Sequence, residues 1–148
     1  MTKRIGNQSP TQSVFLPFES SEFQIAVDAY ETSGRTAQEW QVGLLKNILA
    51  KNEDGLWTHT KVGYSVPRRN GKNEVVVMRE LYALEQGELA LHTAHRTSTS
   101  HSSWERLKGI LEKSPKYKAD EDYTTLRASG RERIEFLKTG RNAFRFHY

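Results

Sequence analysis

Val66-Pro67-Arg68-Arg69-Asn70-Gly71-Lys72-Asn73-Glu74 lies between two segments of different period. Upstream, Val62, Tyr64 and Val66 alternate with smaller or polar residues, which predicts a strand over residues 58–66. Downstream, Val75, Val76, Val77, Met78, Leu81, Tyr82 and Leu84 cover most of a helical circumference. That predicts a buried helix over residues 72–86, stopped by Gly87, although three successive valines suit a strand equally. Pro67 at one end and Asn70-Gly71 at the other make the stretch between a loop. A Gly-Lys pair between strand and helix is where a phosphate-binding loop belongs, because free backbone N–H groups, the helix dipole and the lysine all face one anion. Against the general pattern G-x-x-x-x-G-K-[ST], Gly71 and Lys72 fit, Val66 replaces the first glycine and Asn73 replaces the Ser/Thr. On these residues alone, a surface turn opening a helix fits as well.

The flanking segments read in the same way. Ser20-Ser21-Glu22 can cap a helix through Phe23, Ala26, Val27 and Tyr30, ended by Ser33-Gly34. Thr36, with Glu39 three residues on, can cap a second helix whose apolar face is Trp40, Leu44, Leu45, Ile48 and Leu49. Residues 88–94 suit a strand, and a helix follows from about Ser100 to Lys113, with Trp104, Leu107 and Leu111 on one face. Residues 116–122 make a charged loop. Ile134 and Phe136, then Phe144, Phe146 and Tyr148, alternate on either side of a possible turn at residues 139–142, a β-hairpin pattern. Residues 1–18 are polar and irregular and read as a flexible arm. The order of elements predicts an α/β layer fold.

The 148 residues suffice for one domain with a core. No stretch approaches the ~20 apolar residues of a membrane helix, so no membrane partner is expected. The basic N-terminus has no apolar run behind it, so no secretory signal is expected. With no cysteine, disulfides, thiolate metal sites and cysteine nucleophiles are excluded. The net charge of +4 is uneven: residues 1–60 carry −2, and residues 61–115 and 116–148 carry +3 each. A basic second half suits polyanions such as nucleotides or nucleic acid, and equally an ordinary solvated surface.

Tyr64-Ser65-Val66-Pro67-Arg68-Arg69-Asn70-Gly71-Lys72 resembles the Walker A segment of phage terminase large subunits, ATPase motors that package viral DNA. In one branch of that family the loop reads approximately V-P-R-[RK]-N-G-K-[ST], without the first glycine. Gln38-Glu39-Trp40-Gln41 resembles the family's aromatic-Gln segment, and residues 91–97 and 133–146 resemble its later strands. The resemblance covers roughly residues 36–146. It implies a P-loop three-layer sandwich with a mostly parallel sheet, incomplete at the C-terminus. Lys72 then contacts the β and γ phosphates of ATP, and Gly71 lets the backbone approach them. Arg68 or Arg69 stabilises charge at the γ phosphate, and Gln41 reads the adenine edge with Trp40 beside it; core packing is the other reading of Trp40. Asn70, Asn73 and Glu74 complete the loop, with Asn73 as a weak Mg²⁺ ligand whose neutral amide is expected to favour binding over hydrolysis. Implied partners are double-stranded DNA, the small terminase subunit, the portal protein and procapsid, and a separately encoded remainder of the large subunit, in the cytoplasm of a host.

Such an ATPase also needs an apolar strand ending in an acid pair, and none follows Lys72. The family's nuclease domain is absent too, so the chain is expected to be the N-terminal part of a truncated, split or decayed motor, alone inactive or weak. The alternatives are a helicase-like P-loop ATPase, or a small basic DNA-binding protein without hydrolysis. His92, His95 and His101 do not form a complete ligand set. Ser100 beside His101 reads as helix capping, and Asp120-Glu121-Asp122 as a solvated loop.

Overall fold

The computed structural model describes residues 6–128 and 132–137, and the backbone of 142–147. The fold is α/β. Among the described residues it has four helices, α1 (Phe23–Glu31), α2 (Glu39–Ile48), α3 (Lys72–Gln86) and α4 (Thr97–Lys113). Two small sheets accompany them. β1 (Ser20–Ser21) pairs antiparallel with β2 (Ala50–Lys51). The second sheet runs in the order β3 (Ala90–Thr93), β6 (Asn142–His147), β5 (Arg133–Phe136), β4 (Tyr123–Leu126). Its β3–β6 pair is parallel, whereas β6–β5 and β5–β4 are antiparallel.

α3 is the centre of the molecule. Val75, Val77, Met78, Leu81, Tyr82 and Leu84 are all buried, as expected of a helix apolar nearly all round. Ala26, Val27 and Tyr30 of α1, Leu45 of α2, Trp104, Leu107, Ile110 and Leu111 of α4, and Ile134 and Phe136 of β5 join the same core. The helix stops where glycine can take the left-handed conformation: Gly87 has φ 77° and donates its N–H to Leu84 O at 3.3 Å. α4 starts at Thr97, earlier than Trp104, Leu107 and Leu111 alone would place it. The expected hairpin is present as the β5–β6 pair, with Ile134 opposite Phe144. Its turn residues 138–141 and Tyr148 lie outside the described residues, as do residues 1–5.

Three expectations are corrected. Residues 58–66 form no strand. Period-2 alternation specifies a strand only where a neighbour accepts its ladder bonds and one face is covered. Here Val62 and Tyr64 stay exposed, and Tyr64 turns its hydroxyl onto Lys72 O at 3.0 Å. Thr36 does not cap α2; Gln38 does, and its backbone N–H donates to Gln41 Oε1 at 2.8 Å. Of Ser20-Ser21-Glu22, Glu22 takes the N-cap position of α1 without a side-chain cap bond, while Ser20 and Ser21 lie in β1 and Ser21 Oγ donates to Lys46 O at 2.6 Å. β4 was not anticipated: only Tyr123 of its residues is buried, so it carries little apolar alternation. The N-terminal segment 6–18 has no helix or strand, yet it is tied down by Leu16 N–H to His59 Nε2 at 3.1 Å and Trp40 N–H to Gln8 Oε1 at 3.3 Å.

Candidate functional site

The loop before α3 ends on Gly71, which has φ 76° and ψ 24°. Left-handed backbone favours glycine, and a Cβ there would sit 2.9 Å from Gln41 Nε2, so the Gln41 amide would have to shift. Gln41 is buried, 2% exposed, and its Nε2 donates to Gly71 O at 2.9 Å. The aromatic-Gln segment and the Gly-Lys loop, 30 residues apart, are therefore in direct contact. Trp40 is half-buried against the core and donates its indole N–H to Gln38 Oε1 at 2.9 Å.

Glu74, in the first turn of α3, gathers three donors. Oε2 accepts from Tyr30 OH at 2.6 Å and from Arg35 Nη1 at 2.9 Å, and Oε1 accepts from Arg106 Nη1. Its side chain is 12% exposed. Burial and this carboxylate push the Tyr30 hydroxyl up to about 12. Glu74 thus pins α1, the loop after it and α4 to the N-terminus of α3. None of Tyr30, Arg35 and Arg106 was singled out from sequence as a site residue. Their contacts span 44, 39 and 32 residues, and no local pattern announces them.

The outer side of the loop is different. Arg68, Arg69, Asn70, Lys72 and Asn73 are exposed. Among the described residues, the side chains of Arg68, Arg69, Lys72 and Asn73 have no hydrogen-bond or ion-pair partner. Asn70 Nδ2 donates within the loop to Pro67 O and Arg68 O, both at 3.3 Å. Arg69 has φ 67°, left-handed backbone that a non-glycine residue adopts at a cost. A 15-residue helix starting here adds the partial positive charge of its free N–H groups. Three cations, a glycine turn and a helix N-terminus make a surface suited to a phosphate chain. Asn73 places a neutral amide beside Lys72.

The other groups do not join this site. In the body of α3, Glu80 is 4% exposed and bonds His92 Nδ1 through Oε1 at 2.6 Å, leaving Oε2 without a partner among the described residues. Burial pushes the Glu80 carboxyl up, opposed by His92. His101 lies between Glu132 and Glu105, both at 3.2 Å, and is stacked on Trp104. It opens on a hollow of about 400 Å³ with Thr97, Ser98, Arg127 and Glu132. His95 is exposed, and the described residues contain no group of three or more His, Asp or Glu side chains that could hold a metal ion. Asp122 Oδ2 accepts the Lys118 N–H at 2.9 Å and Lys118 pairs with Glu121, so the acids before β4 shape a turn. No described helix is long and apolar enough to cross a membrane.

Comparison of the chain with protein-family models, with curated proteins and with solved structures gives no match.

Proposed function

We propose that this chain is the nucleotide-binding part of a terminase large-subunit ATPase, binding Mg²⁺-ATP at the N-terminus of α3. In the assembled motor it acts in moving double-stranded DNA into a procapsid, with the small terminase subunit, the portal and the remainder of the large subunit as partners in a host cytoplasm. The carrying observation is the two-sided loop at Gly71. Gln41 and Glu74 anchor it from within, while Arg68, Arg69 and Lys72 are exposed and have no side-chain partner among the described residues. Lys72 takes the β and γ phosphates, an arginine of the loop takes charge at the γ phosphate, and Asn73 meets the magnesium shell. A P-loop sandwich with a mostly parallel sheet is the architecture this reading requires around the described elements.

A second reading uses the same cations without hydrolysis: a small basic protein that contacts DNA phosphates. It is favoured by the exposure of Arg68 and Arg69, which have no side-chain partner among the described residues. Titration of labelled ATP into the full chain separates the two. The ATPase reading expects a Kd on the order of micromolar, weakened at least about tenfold in Lys72→Ala. Duplex DNA binding with a steep salt slope and no response to ATP supports the second reading and defeats the first.

A further inference from the structure

We propose that Gln41 is a positioning residue of the phosphate loop, acting through the Gly71 carbonyl rather than reading the nucleotide base. The inference rests on the nucleotide reading above. Gln41 is 2% exposed, and both ends of its amide are committed to the chain. Oε1 accepts the Gln38 N–H at 2.8 Å, and Nε2 donates to Gly71 O at 2.9 Å. Reading an adenine edge takes one acceptor and one donor from a glutamine at the same time. A second lone pair on Oε1 and a second N–H on Nε2 remain, but at 2% exposure neither is open to a base unless the packing around Gln41 gives way.

The packing at Gly71 supports the same role. A Cβ on Gly71 would meet Gln41 Nε2 at 2.9 Å on one side and Glu74 Cγ at 3.9 Å on the other. Glu74 is itself held by Tyr30, Arg35 and Arg106. The Gly71 carbonyl accepts both Gln41 Nε2–H at 2.9 Å and the Glu74 backbone N–H at 3.1 Å, so the turn into α3 is set before any ligand arrives. Preorganisation of this kind strengthens binding of whatever the loop holds, whichever base it carries.

Calorimetric titration of the full chain with ATP, GTP and inorganic tripolyphosphate, each with Mg²⁺, tests the assignment. Wild type is compared with Gln41→Glu, which keeps the acceptor for Gln38 N–H and removes the donor to Gly71, and with Gln41→Ala. Melting curves establish that each variant is folded. A positioning role lowers all three affinities together, by roughly tenfold, and keeps the ATP-to-GTP ratio within about threefold of wild type. A ratio that collapses while tripolyphosphate affinity stands makes Gln41 a base reader and overturns the proposal. Three unchanged affinities in a folded variant overturn it too. If neither variant folds, the Gln41 side-chain amide resonances of wild type decide. Equal shifts with tripolyphosphate and ATP support positioning, and shifts with ATP alone refute it. Wild type that binds neither ATP nor tripolyphosphate overturns the nucleotide reading itself, a result visible before any variant is made.

Discussion

Two carboxylates of α3, Glu74 and Glu80, lie under one helix and are treated oppositely by the fold. Glu74 is 12% exposed in its side chain and accepts from a tyrosine and two arginines. Glu80 is more deeply buried, bonds His92, and has no partner for Oε2 among the described residues. The first is a satisfied charge that ties three segments together. The second is a charge the surroundings disfavour, and burial raises its pKa accordingly. Position decides the difference. Glu74 stands in the first turn, where helix N–H groups favour an anion and where Arg35 and Arg106 reach it from solvent. Glu80 stands mid-helix in the core, beneath β3.

The contrast breaks most visibly at Glu74. Glu74→Ala leaves two arginines and a tyrosine without their acceptor. Because Arg35 and Arg106 are 37% and 40% exposed and can rehydrate, the expected loss lies at the low end for a broken buried pair. It is about 3 kcal/mol in urea unfolding. The Tyr30 hydroxyl should also titrate lower than about 12, read from its ultraviolet absorbance. A loss under about 1 kcal/mol would make the hub decorative.

A smaller effect sharpens the other side. With its folded pKa above the ordinary 4.5, Glu80 binds a proton more tightly folded than unfolded. Stability from this group therefore falls as pH rises from about 4.5 through the raised value, and the full cost persists above it. Glu80→Gln should remove that slope. Above the pH range of that slope it should change stability by no more than about 1 kcal/mol, since losing the charged acceptor for His92 offsets the relief of a buried charge. A slope unchanged in Glu80→Gln would show that other groups carry it.

The parts of this architecture that were legible in sequence are those decided locally. Residues 72–86 announced α3 through their apolar circumference, and Gly87 announced its end. Ile134, Phe136 and Phe144 announced the β5–β6 pair. What was not legible depends on partners distant in sequence. The alternation of Val62, Tyr64 and Val66 met no neighbouring strand and stayed open chain. Gln38 displaced Thr36 as the cap because Gln41 Oε1 is placed to accept its N–H. At the candidate site, Gly71, Lys72, Arg68 and Arg69 could be read from the motif. For Gln41 the resemblance implied contact with adenine, and its contact with Gly71 was not anticipated. The Glu74 hub left no trace in spacing, because Tyr30 and Arg106 come from separate helices.

The central claim is that the N-terminus of α3, anchored within by Gln41 and Glu74, presents an open phosphate site outward. The most direct measurement is the backbone amide spectrum of the full chain during titration with Mg²⁺ and inorganic tripolyphosphate. The expected result is that the largest shifts fall on Arg69 to Asn73, saturate together, and leave the amides around Glu80 and His92 nearly still. Shifts centred instead on Thr97, Ser98 and His101, or no saturable shift in the 69–73 loop, would contradict it.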